Sequence, residues 1–182
     1  MQPSAIISRL LEPEMALAYG GNHHDVFRSL FNRSCQVALW MSAASCVVLG
    51  VFGERVLGIW THGKVAMDWT LYILLLLSAV VNAIWYTALM AAYATNRHVP
   101  VALVYFTVYG GIAFCLAITF SKMFGLSGVG LALLVSEITM SPYVLWKTFQ
   151  LTGESLSSWV DQVTRPPWFL IRRIRDVSAI QG

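Results

Sequence analysis

The chain has 182 residues, of which 57% are hydrophobic and only 12% charged, and its formal net charge is +3. A soluble domain carries about 25% charged residues, so the composition excludes an ordinary soluble domain and specifies a polytopic membrane protein. The small positive excess sits partly in the C-terminal tail, which points to lipid headgroups and not to nucleic acid. No zinc-ligand spacing, nucleic-acid module or glycine-rich phosphate loop is present.

The first residues, MQPSAIISRLLEPEMALAYGG, lack a basic stretch followed by a continuous apolar core and cleavage site, and do not read as a signal peptide. Asn22 is placed to cap a helix through its side-chain oxygen, and Asp25 to complement the exposed amides of the first turn. Val26, Phe27, Leu30 and Phe31 share one face, with Arg28 and Arg33 elsewhere, so the first span should begin as an amphipathic extension near residue 23.

Four hydrophobic segments follow, at roughly 35–53, 69–92, 100–121 and 126–148. Crossing a ~30 Å hydrocarbon core takes about 20 apolar residues at 1.5 Å each. In lipid each segment must be helical, because an unpaired backbone amide there is too costly. The expected class is therefore all-α, a polytopic membrane protein with four transmembrane helices and amphipathic helical flanks. It divides into 1–34, an N-terminal cytoplasmic segment with an amphipathic helix; 35–148, the four-helix unit; and 149–182, a basic amphipathic cytoplasmic tail.

Orientation follows from charge. Arg9, Arg28, Arg33, Arg97, Lys147, Arg165, Arg172, Arg173 and Arg175 fall on one side and Arg55, Lys64 and Lys122 on the other, which places both termini in the cytoplasm. Trp60 and Trp69 then bracket the outer interface and Trp146 the inner one.

On the second span Ser78, Asn82 and Tyr86 recur at i, i+4 and i+8. They form either interhelical hydrogen bonds that fix packing or a polar strip facing a water-filled cavity. The stretch ATNRHVP interrupts two uncharged runs and reads as a tight turn at the membrane surface. Pro100 suits the first turn of the next helix, where its absent N–H is not missed.

Ala113, Ala117 and Ser121 on the third span, and Gly128, Ala132 and Ser136 on the fourth, are small-residue stripes that let another helix approach closely. Glu137 is the only acid or base well inside a span. Pro142 follows five residues later and frees the carbonyl of Ile138. Glu137 is thus the leading candidate for a substrate- or ion-pathway residue, with Asn82 a candidate hydrogen-bond partner, Ser78 and Tyr86 beside it on the polar strip and Pro142 as a hinge; the alternative is a structural, hydrogen-bonded carboxyl.

Cys35, Cys46 and Cys115 read as buried small hydrophobes and not as disulfide or metal partners. His23, His24, Asp25 and Ser29 lie together in a flank without a scaffold to hold a nucleophile, so no catalytic residue, metal or cofactor is expected and the chain is not read as an enzyme. In RPPWFLIRRIRDV, Leu170, Ile171, Ile174 and Val177 have helical spacing opposite Arg172, Arg173 and Arg175. This is either an interfacial helix on anionic lipid or a solvated basic tail.

The order EPEMALAYGGNHHDVFRSLFNRS, span, ERVLGIWTHGKV, span, YATNRHVPVA, span, FGLSGVGLALLVSE resembles the last third of bacterial polysaccharide flippases, in the multidrug/oligosaccharidyl-lipid/polysaccharide exporter superfamily. The likeness covers residues 10 to about 150. It implies that the four spans correspond to helices nine to twelve of a twelve-helix transporter, forming part of one lobe.

The implied role is moving lipid-linked oligosaccharide across the bacterial inner membrane for surface polysaccharide or lipopolysaccharide assembly. The chain alone, without the N-terminal part of the transporter, is not expected to be transport-competent, and no deep Lys or Arg is present to hold a lipid diphosphate. The implied partners are membrane lipids, the remaining part of the transporter and the lipid-linked oligosaccharide. The alternatives are a small four-helix structural membrane protein and a fragment of a multidrug exporter of the same superfamily.

Overall fold

The computed structural model describes residues 3–166, and these are helical apart from short joins. Helix α1 spans Pro3–Gly20, α2 His24–Thr61 and α3 Trp69–Ala94. Helix α4, His98–Val104, passes into one π-helical stretch, Tyr105–Tyr109, and then into α5, Gly110–Thr152. A short α6, Leu156–Thr164, follows. Among the described residues, three helical runs are long and apolar enough to cross a membrane: His24–Thr61, Trp69–Ala94 and the 55 residues His98–Thr152.

The same closure ends α1, α2 and α3. A residue in the left-handed region follows each helix (Asn22, His62 and Asn96), and the next N–H reaches back five residues: His23 to Ala18 at 2.9 Å, Gly63 to Gly58 at 2.9 Å and Arg97 to Ala92 at 2.9 Å. This is the Schellman arrangement. It corrects the expected role of Asn22, which closes α1 and does not cap α2. Its Oδ1 accepts instead from His24 Nε2 at 2.8 Å, while His23 occupies the cap position without a side-chain bond. Asparagine tolerates left-handed backbone better than most residues, and that use wins here.

The turn expected at ATNRHVP is short, with Pro100 in the first turn of α4. Helix α2 is continuous from His24, as the amphipathic extension requires. Its inward face is Phe27, Phe31, Asn32, Ser34, Cys35 and Ala38, whereas Val26 points outward.

Gly125 interrupts the helical backbone of α5 with φ 62° and ψ −139°. Before it, Trp85 packs on Tyr105 and Tyr93 stacks on His98, so the chain returns antiparallel to α3. After it, Ser127 reaches Asp68, Glu137 meets Asn82 and Thr148 Oγ1 donates to the Ala88 carbonyl at 3.1 Å, a parallel register with α3. The reversal is tight enough that a Cβ on Gly128 would strike the Phe120 carbonyl.

Helix α3 is the central element, touching α1, α2, α4 and α5. Burial is uneven along it. One end forms a core of Met15, Phe27, Phe31, Cys35, Trp85, Ala88, Met140, Val144, Trp159 and Val163. Towards the other end α2 bares Val47, Val51, Ile59 and Trp60, and Phe114 projects from the first limb of α5. Cys115 lies on that uncovered limb and is exposed, so the expected burial holds fully for Cys35 alone; Cys46 is half-buried and donates to the Leu76 carbonyl at 3.4 Å.

Gly128, Ala132 and Ser136 are all buried, and the Ala113, Ala117, Ser121 stripe is half-exposed. Arg172, Arg173 and Arg175 lie outside the described residues.

Candidate functional site

Glu137 is buried, at 6% exposure, where three segments converge. Asn82 Nδ2 on α3 donates to both carboxyl oxygens at 3.2 Å. Trp85 Nε1, three residues along the same helix, donates to Oε2. Tyr109, the last residue of the π-helical stretch, donates its hydroxyl to Oε1 at 2.9 Å. Asn82, a candidate partner in the sequence, therefore does bond Glu137, and two further donors join it.

Local structure accounts for the convergence. Residues 82 and 85 lie on one face of α3 because three residues make nearly one helical turn. The π-helical turn, a feature that recurs at functional sites, carries Tyr105 and Tyr109. Their rings stack at 4.7 Å, and both pack against Trp85. Small neighbours let the fourth-segment backbone come close: Ala132 and Ser136 are at 0% and 1% exposure, and Gly130 lies against Leu71 and Leu74 of α3.

Of the remaining sequence candidates, Ser78 is buried but donates to the Leu74 carbonyl of its own helix at 2.9 Å, and does not reach Glu137. Tyr86 lies beside the site and lines, with Asn82, Trp85, Leu89, Tyr93 and Tyr105, a cleft of about 240 Å³. Pro142 stands inside α5, and the Ile138 carbonyl it frees accepts from the Ser141 hydroxyl at 3.3 Å. The hinge position thus keeps a replacement hydrogen bond that is weaker than the one it lost.

Trp85 and Tyr109 carried no periodic polar signal. Each reads as one more aromatic residue in an apolar run, although buried Trp and Tyr regularly seek a partner for their N–H or O–H.

All three donors to Glu137 are uncharged. Each can be exchanged for water or for a ligand group at the cost of one hydrogen bond, without breaking an ion pair. The site is therefore a junction that ties α3 to both limbs of the chain after it.

A second buried acid, Glu154, lies in the join between α5 and α6. Its Oε1 accepts from Gln162 at 2.9 Å, Ser158 at 3.1 Å and Asn32 at 3.3 Å, and its Oε2 pairs with Arg28. This knot fastens α6 to α2. Helix α6 is not among the helices expected from the sequence; Ser155, whose hydroxyl accepts from Ser158 N, and the buried pair Trp159 and Val163 at i, i+4 are the signals that mark it.

Compared with protein-family models, with curated proteins and with solved structures, the chain matches none.

Proposed function

We propose that the chain crosses the membrane four times and forms the part of a lipid-linked oligosaccharide flippase equivalent to its last four helices. On this reading it lies in a bacterial inner membrane, with both termini cytoplasmic, and serves surface polysaccharide or lipopolysaccharide assembly. The opposite registers against α3 of the stretches before and after Gly125 support four crossings, since a straight helix over the 55 residues His98–Thr152 would extend about 80 Å. The order of motifs described above supports the family.

One observation carries the assignment of a site: a buried carboxyl, held only by neutral donors, joins three segments beside an aromatic-lined cleft. Polar and ionisable groups inside a membrane mark substrate or ion pathways, and alternating access needs helices that exchange partners while their helical structure persists. In this mechanism Glu137 is the latch. Its release from Tyr109 or Asn82 would let the π-helical stretch or the second limb of α5 shift against α3, with Pro142 absorbing the bend.

The same completeness of hydrogen bonding favours a second reading, in which Glu137 is a packing clamp in a structural four-helix protein that transports nothing.

Complementation of a flippase-null strain separates the two. Residues 1–182 alone should not restore surface polysaccharide, and co-expression with the preceding eight-helix portion of the transporter should. In that complete transporter Glu137→Gln should leave membrane abundance unchanged and reduce transport. Restoration by residues 1–182 alone, or unimpaired transport by Glu137→Gln and Glu137→Leu, would sink the latch. Cysteines placed at Thr61 and Ser127, in a background without Cys35, Cys46 and Cys115, should react with an impermeant thiol reagent from outside. Those at Thr95 and Ser157 should be protected, and external labelling of Thr95 would reverse the orientation.

A further inference from the structure

The join between α3 and α4 and the last turns of α5 border a cleft of about 360 Å³. Buried Ala92 and Val101 give it an apolar floor, and Asn96, Arg97, Lys147 and Gln150 stand around it. None of the residues that hold Glu137 lines it. No acid lines it either, and neither Arg97 nor Lys147 pairs with a carboxylate among the described residues. The acids on either side of Lys147 in the sequence are engaged elsewhere, Glu137 by its neutral donors and Glu154 by Arg28. The cleft therefore carries two positive charges with nothing to balance them.

Either cation alone would be an ordinary anchor near a helix end at the membrane surface. These two come from different helices and face one cavity. Lys147 Nζ lies 4.6 Å from the centroid of the Trp146 ring, which places the ammonium beside an indole of the kind found at headgroup level. The surface next to the cleft is apolar on both walls. Leu103, one turn beyond the lining residue Pro100, is 63% exposed, and Trp146, one turn before Gln150, is 54% exposed. Both turns lead away from the α3–α4 join, towards the middle of the spans. A positive mouth thus gives way to a greasy passage.

Phosphate matches the mouth, because a guanidinium fork takes two phosphate oxygens and an ammonium adds a point charge. A soluble phosphate makes no use of Leu103 and Trp146, whereas a phospholipid uses both parts. Basic pockets between helices at a membrane surface receive anionic headgroups in this way. We propose that this cleft binds the headgroup of an anionic glycerophospholipid. The phosphodiester sits between Arg97 and Lys147, headgroup hydroxyls meet the exposed amides of Asn96 and Gln150, and one acyl chain lies between Leu103 and Trp146. The site requires that the helices span a bilayer, but neither transport nor a particular orientation, so it stands or falls apart from the flippase reading.

The test uses the full chain in detergent, with bound lipid counted by native mass spectrometry and located by a photoactivatable phosphatidylglycerol. Phosphatidylglycerol should be retained over phosphatidylcholine and should crosslink to residues 96–103 and 146–151. Arg97→Gln and Lys147→Gln should each weaken retention roughly fivefold, and together about 25-fold, with circular dichroism unchanged. The bond that closes α3 comes from the Arg97 backbone N–H, so the side-chain change leaves it in place. Gln150→Glu, which puts a carboxylate into the cleft, should also weaken retention, and Gln150→Lys should strengthen it. Full retention by the folded double variant would overturn the site, as would equal retention of phosphatidylcholine. Loss of binding only on replacing Arg172, Arg173 and Arg175 would do the same. Displacement by millimolar glycerol phosphate would assign the cleft to a soluble anion and reject the lipid.

Discussion

Glu137 and Glu154 are both 6% exposed, yet they are held by opposite means. Glu154 lies at the densely packed end with a guanidinium partner, and its side chain is fully buried while that of Arg28 is 40% exposed. Glu137 lies between helices and has only amide, indole and phenol donors. An ion pair at the rim keeps its charge near water, so it serves as a fixed fastening between α2 and α6. Neutral hydrogen bonds in the interior are weaker singly and more easily exchanged, as the latch proposed for Glu137 requires. Position in the bundle and the charge of the partners, more than burial, distinguish the two acids.

Removing the cation should produce the largest effect. Arg28→Ala leaves the Glu154 carboxylate buried with no ion partner, which should cost on the order of 2–3 kcal/mol, less than for a pair buried on both sides. Glu154→Gln keeps an acceptor for Asn32 and frees Arg28 into solvent, and should cost about half as much. Thermal unfolding of both variants in detergent checks the order. Equal losses would show that the pair is not what distinguishes this acid.

Next comes Glu137→Leu. Asn82, Trp85 and Tyr109 each lose an acceptor, and at about 0.6 kcal/mol per hydrogen bond inside a membrane the sum is about 2 kcal/mol. Insertion should nevertheless improve, because an acid at the helix centre costs on the order of 2.5–3.5 kcal/mol on the insertion scale. Glu137→Gln should be nearly neutral for stability. Its oxygen can face Trp85, and its amide can donate to the Tyr109 hydroxyl, which accepts as readily as it donates. Glycosylation-based insertion assays and unfolding midpoints read the two effects separately. If Glu137→Gln destabilised as much as the leucine variant, the donors would be discriminating charge and the contrast with Glu154 would fail.

Much of this was legible because lipid leaves the chain few options. The apolar runs had to be helices, the ATNRH turn had to lie between two of them, and Asn82 could be paired with Glu137. The rest was hidden for identifiable reasons. Trp85 and Tyr109 stand 52 and 28 positions from Glu137, and nothing in an apolar run marks one aromatic residue as a donor across such a separation. Asn22 has the chemistry of both an N-cap and a left-handed helix stop, and only the backbone decides between them. The pairing of Arg28 with Glu154 depends on α6 folding back on α2, a tertiary choice that neither segment announces by itself.

A third acid, Asp68, carries the comparison to the surface, where the smallest effect is expected. It caps α3 by accepting from Leu71 N at 3.1 Å, and it accepts from Ser127 Oγ at 2.8 Å, joining the start of α3 to the second limb of α5. The bond from the Leu71 amide, with help from the Ser127 hydroxyl, holds its carboxyl below the ordinary value of 3.8. A carboxyl depressed on folding adds stability that is fully present above its unfolded value and is lost as pH falls through the lowered folded one.

Asp68→Asn retains an oxygen that caps equally well but has no proton to gain, and so serves as the reference. The unfolding midpoint of the native chain minus that of Asp68→Asn should stay constant from pH 6 to about 4 and decline only in more acid solution. A difference that falls between pH 7 and 5 would mean that another group is titrating. A difference that does not change with pH at all would mean that Asp68 fastens these two helices by shape alone, without its charge.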